Sequence, residues 1–237
     1  MERLRLFPLN TVLFPGAALN LHIFEPRYKQ MITECVQADE PFGVCLIREG
    51  DEAGDPEVMP HDVGTTAEIA DVTALEGGRF YISTTGRRRF RIDRVVSRDP
   101  FLLCDVEYIG DDELGSGEKV DALVGEIREV FREYLRLLVE YSGVHADVDM
   151  PADPVEASFL IGDALEVAAT MKQRLLELTS VEQRLTVELG FLRRHLPQLR
   201  SYLEKKREHP SAERNDAPGG SFRAKQEKYF GKHFSLN

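Results

Sequence analysis

Leu6-Phe7-Pro8-Leu9-Asn10-Thr11-Val12-Leu13-Phe14-Pro15-Gly16, followed by Leu19-Asn20-Leu21-His22-Ile23-Phe24-Glu25-Pro26-Arg27-Tyr28, is the stretch whose reading decides the fold. It predicts strand, turn, strand and helix start. Val12, Leu13 and Phe14 are apolar enough to bury as a short strand. Pro15-Gly16 then marks a turn, because proline presets φ and glycine accepts a positive one. Leu19, Leu21 and Ile23 alternate with Asn20 and His22, the period of a half-buried strand. Pro26 suits the first turn of a helix, where its missing N–H costs nothing, and Glu25 before it suits the positive helix end.

Outward from this stretch, residues 1–110 read as mostly β. A helix is expected near 26–38 and a strand over Phe42–Ile47. Gly50, Gly54, Pro56 and Pro60, set among acidic residues, make 49–62 a loop. Strands follow near 63–74 and 79–84, joined at Gly77-Gly78 by a hairpin turn. Phe90, Ile92 and Val95 mark a further strand and Pro100 a break. Leu102, Cys104, Val106 and Tyr108 alternate as the last strand. Short strands at near-regular spacing suggest a small barrel.

Residues 110–117 form a Gly- and Asp-rich link, after which the period changes. Val120, Leu123, Val124, Ile127, Val130, Phe131, Tyr134, Leu138 and Tyr141 recur at three-to-four spacing, an amphipathic helix that Gly143 ends. Asp153-Pro154 caps and opens a second helix. Met171, Leu175 and Leu176 mark a short third one. Ser180 with Gln183 is a capping-box pattern for a last helix over 181–206, with Pro197 inside it. Beyond it, residues 207–237 are polar and rich in Pro and Gly, the composition of a flexible tail. Phe222, Tyr229, Phe230 and Phe234 interrupt that polarity and are candidates for docking on the body or on a partner.

The opening stretch resembles the start of the Lon N-terminal domain, the substrate-recognition module of the Lon protease. The resemblance continues in Phe42-Gly43-Val44-Cys45-Leu46-Ile47, Val63-Gly64-Thr65-Thr66-Ala67-Glu68-Ile69, Gly86-Arg87-Arg88-Arg89-Phe90-Arg91-Ile92, Leu175-Leu176-Glu177-Leu178 and Glu182-Gln183-Arg184-Leu185. It implies an α+β fold: a PUA-like β pseudo-barrel over 1–110 followed by a C-terminal helical bundle over 117–206. It is to the stand-alone bacterial form, without ATPase or peptidase domains. The implied function is capture of unfolded or tagged polypeptides, or of a protease or chaperone partner, through a hydrophobic cleft with a polar rim. The same resemblance puts Phe24, Glu25, Arg27, Tyr28 and Lys29 where such modules are thought to meet substrate, with Tyr28 as a large contact and the charged residues as its rim. The competing expectation for these residues is structural: Glu25 capping a helix, Arg27 in an internal ion pair, Tyr28 packed.

The chemistry of catalysis is missing from the pattern. Gly117-Glu118-Lys119-Val120 and Gly231-Lys232-His233 lack the loop and hydroxyl of a phosphate-binding motif. The six histidines are scattered and there is no Cys-x-x-Cys, so neither a metal nor another cofactor is expected. Cys35, Cys45 and Cys104 lie in apolar contexts and read as buried reduced thiols, which with no signal-peptide pattern and no apolar run long enough for a membrane points to the cytoplasm. Net charge is −11, with nine Lys/Arg against five Asp/Glu in residues 200–237. The acidic remainder argues against nucleic acid, whose phosphates need clustered positive charge. Arg87, Arg88, Arg89 and Arg91 are the exception, and an RNA-binding PUA-like protein is the alternative they raise. The strand period sets Phe90 and Ile92 on one face and Arg89 and Arg91 on the opposite, solvated one. An enzyme with an unrecognised site is the third possibility. Nothing in the pattern sets the oligomeric state.

Overall fold

The computed structural model describes residues 2–52, 54, 55, 57–112, 117–142 and 149–208. The expected end of a helix at Gly143 and the tail aromatics Phe222, Tyr229, Phe230 and Phe234 lie outside the described residues. By contacts the chain falls into two units, residues 2–110 with 165–177, and residues 111–164 with 178–208. The fold class is α+β, as the sequence implies.

The first unit is built on seven strands: β1 (Glu2–Leu9), β2 (Ala18–Ile23), β3 (Phe42–Glu49), β4 (Met59–Pro60), β5 (Val63–Leu75), β6 (Arg79–Ser97) and β7 (Leu102–Tyr108). Their order is β1-β7-β6-β5-β3-β4, and β1 also pairs in parallel with β3, so the sheet closes on itself. Closure removes most free edges, which is how small antiparallel sheets avoid pairing with other chains. β2 stands off this path and, among the described residues, pairs only with β6.

Val12, Leu13 and Phe14 are not a strand. They are buried but irregular, and the strand of this region is β1, which ends at Leu9. The turn is as expected: Gly16 has φ 81°, and the Ala17 amide donates to the Phe14 carbonyl at 3.1 Å. Gly86 faces this turn, and a Cβ there would stand 2.2 Å from the Phe14 oxygen. The backbones can approach that closely only because residue 86 has no side chain. The two strands expected within 79–97 are one strand of 19 residues. Bulges at Ile92/Arg94 and Val95/Ser97 bend it, so its first half serves β2 and β5 and its second half β7. The hairpin turn Glu76–Gly78 carries positive φ at both Gly77 and Gly78.

Helix α1 (Pro26–Ala38) packs one face against the strands of this unit. Tyr28, Met31, Ile32 and Cys35 face inward and pack with Phe7, Phe42 and Ile82. A second cluster, centred on Phe90 with Leu6, Cys45 and Cys104, fills the other part of the barrel.

In the second unit, α2 (Gly117–Ser142) and α5 (Val181–Glu208) run in parallel. Arg193, Arg200 and Arg207 meet Glu126, Glu133 and Glu140, each pair 67 residues apart. The seven-residue repeat of both charges is that of flanking positions in a coiled coil. Leu185, Leu189, Leu192, Leu196 and Leu203 form the buried seam on α5, with Val120, Ile127 and Tyr134 on α2. Helix α3 (Pro154–Ala164) opens with Asp153 Oδ1 accepting from the amides of Val155 and Glu156 at 2.8 and 2.9 Å. At α5 the Gln183 amide donates to Ser180 Oγ at 3.3 Å, one half of the expected capping box. Pro197 does not end α5; it lies on the exposed face, where water can serve the carbonyl it leaves without an amide.

The short helix α4 (Ala169–Glu177) groups with the strands, where the sequence reading sets it among the helices of 117–206. Buried hydrogen bonds account for this. Gln173 Nε2 donates to the Val63 carbonyl at 3.0 Å, and Arg89 Nη1 donates to the Leu176 carbonyl at 2.7 Å.

Candidate functional site

β2 delivers the chain to the start of α1, and the strand period decides which side each residue takes. Leu21 and Ile23 are buried, so Asn20, His22 and Phe24 turn the other way. Phe24 is 53% exposed. The His22 ring lies 5.7 Å from Phe24 and 4.8 Å from Tyr81, its cross-strand partner on β6. Tyr81 is itself 37% exposed. The three rings form an aromatic surface on the outside of the first unit. His22 Nε2 is buried without a hydrogen-bond partner. Burial first, and then Arg79, hold the imidazole below its ordinary pKa, so it is neutral at pH 7.

The charged residues of the segment are tied inward. Glu25 occupies the N-cap position, yet its side chain makes no cap hydrogen bond. Its carboxylate accepts from Arg27 Nε at 3.0 Å and from the Gly54 amide at 3.4 Å. Arg27 Nη1 donates to the Asp55 carbonyl at 3.2 Å, and its guanidinium lies 4.6 Å from the Tyr28 ring centre. Lys29 Nζ donates to the Gly77 carbonyl at 3.2 Å. Glu25, Arg27 and Lys29 thereby fasten Gly54, Asp55 and the β5–β6 turn to the start of α1.

Tyr28 is not a surface contact. It is 3% exposed and stacks on Phe7 with ring centres 3.9 Å apart. Burial pushes its hydroxyl pKa up to about 12. Its helical neighbours announce this, since Tyr28, Met31, Ile32 and Cys35 follow the i, i+3, i+4, i+7 spacing of a core face. Phe24 and Tyr81 are legible in the same way, as residues on the polar side of strands whose other side carries Leu21, Ile23 and Ile82. Tyr81 and His22 are the members that the sequence reading missed.

Arg89 departs from expectation as well. It is 3% exposed, and Nη2 donates to the Gly110 carbonyl at 2.9 Å beside its bond to Leu176. Arg87 binds Glu68 through two nitrogens, and Arg88 lies 3.6 Å over the Tyr108 ring. Of the four arginines proposed for RNA, three are engaged within the fold.

The other groups with chemical potential are quiet. All three cysteines are buried and free. Burial pushes the thiols of Cys35 and Cys104 up to about 11, so neither is a thiolate nucleophile near neutral pH. Among the described residues no three of His, Cys, Asp and Glu gather as metal ligands, and no helix is long and apolar enough to cross a membrane. An open hollow in the second unit, lined by Leu178, Glu182, Gln183, Thr186 and Val187, holds one titratable group.

Comparison with known proteins matches residues 3–194 to the ATP-dependent protease La (LON) substrate-binding domain. The Lon protease of Anaeromyxobacter dehalogenans is 25% identical over 193 residues, 81% of this chain and 23% of that protein. Lon protease 2 of Myxococcus xanthus is 26% identical over 193 residues, again 81% of this chain and 23% of that protein. The chain thus spans about a quarter of the length of these curated relatives. Among solved structures, a Lon N-terminal domain protein from Xanthomonas campestris superposes with a TM-score of 0.58 at 28% identity, covering 80% of this chain and 98% of that one. The N-terminal domain of Mycobacterium avium complex Lon protease, at 20% identity, shares the fold with a TM-score of 0.60 over 82% of this chain and 100% of that one. With a closed sheet packed against α1, a helical continuation and a family match over most of its length, the chain belongs to the Lon substrate-binding domain family.

Proposed function

We propose that the chain is a non-catalytic recognition module that binds unfolded or tagged polypeptides, or a protease or chaperone that handles them, as an adaptor or regulator. The observation that carries this reading is the match of residues 3–194 to a substrate-binding domain. The aromatic surface of His22, Phe24 and Tyr81 supports it. Solvated aromatic side chains are costly to leave exposed and are favoured anchors at interfaces. In this reading Phe24 supplies the contact first assigned to Tyr28, and Glu25, Arg27 and Lys29 hold it in place.

The test is binding of reduced, carboxymethylated α-lactalbumin, followed by fluorescence anisotropy, with the folded protein as control. The unfolded form binds and the folded form does not. Phe24→Ala weakens binding about fivefold or more, the loss expected of an interface anchor, with an unchanged circular dichroism spectrum. Equal binding of both forms, or of neither, refutes the function. Unaltered binding by Phe24→Ala removes this site.

A further inference from the structure

β2 is an edge strand of an unusual kind. Among the described residues its ladder partner is β6 alone. The phase of that ladder is set at its start, where the Gly86 amide donates to the Ala17 carbonyl and the Gly16 amide to the Gly86 carbonyl, each at 2.8 Å. Counting on in twos, Leu19↔Thr84, Leu21↔Ile82 and Ile23↔Phe80 are the hydrogen-bonded pairs. The amides and carbonyls of Ala18, Asn20 and His22 therefore point away from β6, one rung every second residue.

Edge strands are ordinarily blunted by charge, proline or a bulge. The outer half of β5 obeys this with Glu68 and Asp71. Ala18-Leu19-Asn20-Leu21-His22-Ile23 carries no proline and no charged side chain at pH 7, and its register with β6 runs without a shift. Its outward side chains lead into exposed Phe24. At that end two cations stand near the strand: Arg79 is close enough to act on the His22 ring, and Lys29 Nζ reaches the Gly77 carbonyl of the neighbouring turn.

We propose that the outer edge of β2 is a strand-addition site for an extended polypeptide segment. The segment continues the sheet through the rungs of Ala18, Asn20 and His22. Its alternate side chains are apolar and rest on His22 and Phe24, and it brings no cation toward Arg79. Main-chain hydrogen bonds supply sequence-tolerant affinity, and the aromatic flank selects apolar residues. This deepens the proposed function and rests on it.

A peptide array cut from reduced, carboxymethylated α-lactalbumin supplies the probe, its tightest-binding twelve-residue member, measured by anisotropy against the whole chain. Asn20→Pro removes one outward donor and leaves the β6 ladder intact, since proline is tolerated on the free side of an edge strand. Binding should weaken about tenfold, the order of one lost hydrogen bond with local misfit. Should that variant unfold, the peptide carries the test. N-methylation at alternate backbone positions should weaken binding about tenfold in one phase and little in the other. Equal loss in both phases, or none, overturns strand addition and leaves the recognition function standing. If no peptide binds, both fall. If the chain sediments as a dimer that Asn20→Pro dissociates, with no phase in peptide binding, the edge belongs to a second copy and the proposal fails.

Discussion

Glu188 offers the sharpest energetic test of the second unit. It lies on the seam side of α5, is 0% exposed, and neither carboxyl oxygen has a hydrogen-bond partner. Burial pushes its pKa well above 4.5; Arg184, one turn earlier, pulls the other way and does not offset it. Arg184 is occupied elsewhere, donating to Ser158 Oγ, the Leu178 carbonyl and Asp111 Oδ1 at 2.8, 2.7 and 2.7 Å. The folded chain therefore keeps Glu188 protonated, whereas the unfolded chain ionises it above the ordinary value. A raised folded pKa contributes stability that is fully present below the unfolded pKa and is lost as pH rises toward the folded one. Across that window the loss is about 1.4 kcal/mol per pH unit. Glu188→Gln keeps the shape and cannot ionise. In urea titrations followed by circular dichroism, the variant and the parent should have similar stability near pH 4. They should diverge in the variant's favour as pH rises from there toward the folded pKa. Parallel stability profiles from pH 4 to pH 8 would refute the protonated-carboxyl argument.

Two further substitutions separate packing from recognition. Tyr28→Ala should destabilise the first unit by about 3–5 kcal/mol, the cost of deleting a buried ring, whereas Tyr28→Phe should cost under about 1.5 kcal/mol. A Tyr28→Ala protein with a native urea midpoint would return this ring to the surface. Arg89→Ala should cost about 3 kcal/mol, because the buried Leu176 carbonyl and the part-buried Gly110 carbonyl lose a charged donor, while Arg91→Ala should stay within about 0.5 kcal/mol. If Arg89→Ala instead leaves stability intact and abolishes retention of RNA at low salt, the RNA alternative is correct.

The local code accounts for much of this fold. The Pro15-Gly16 turn, the alternation of β2, the proline start of α1, the Gly77-Gly78 hairpin and the Asp153 cap each follow from residue chemistry within a few positions. Val12–Phe14 misled because burial does not require a strand, and an apolar run without alternation does not distinguish the two. Arg89 misled for a non-local reason. Period two put it on a solvated face, but α4 arrives from 87 residues away and lays the Leu176 carbonyl there. Tyr28 carried two legible signals at once, a family position suggesting contact and a helical spacing suggesting core, and packing decided between them.

The same physics explains why one edge can stay open. A neutral, unblunted strand invites pairing with any other, including its own copy. Here the net charge of −11, which rises to −15 over residues 1–199 because the last 38 residues are basic, sets copies of the chain against one another. Like-charge repulsion is long-ranged beside a hydrogen bond and acts before two edges meet, so it suppresses self-pairing without adding a charge to β2. A neutral or cationic unfolded segment meets no such barrier over the acidic body. Only the last contact, toward Arg79, disfavours a cation at the segment's end. Discrimination between self and client then requires no lid over the edge. The charge of the whole chain governs approach, and the rungs of Ala18, Asn20 and His22 govern what is held.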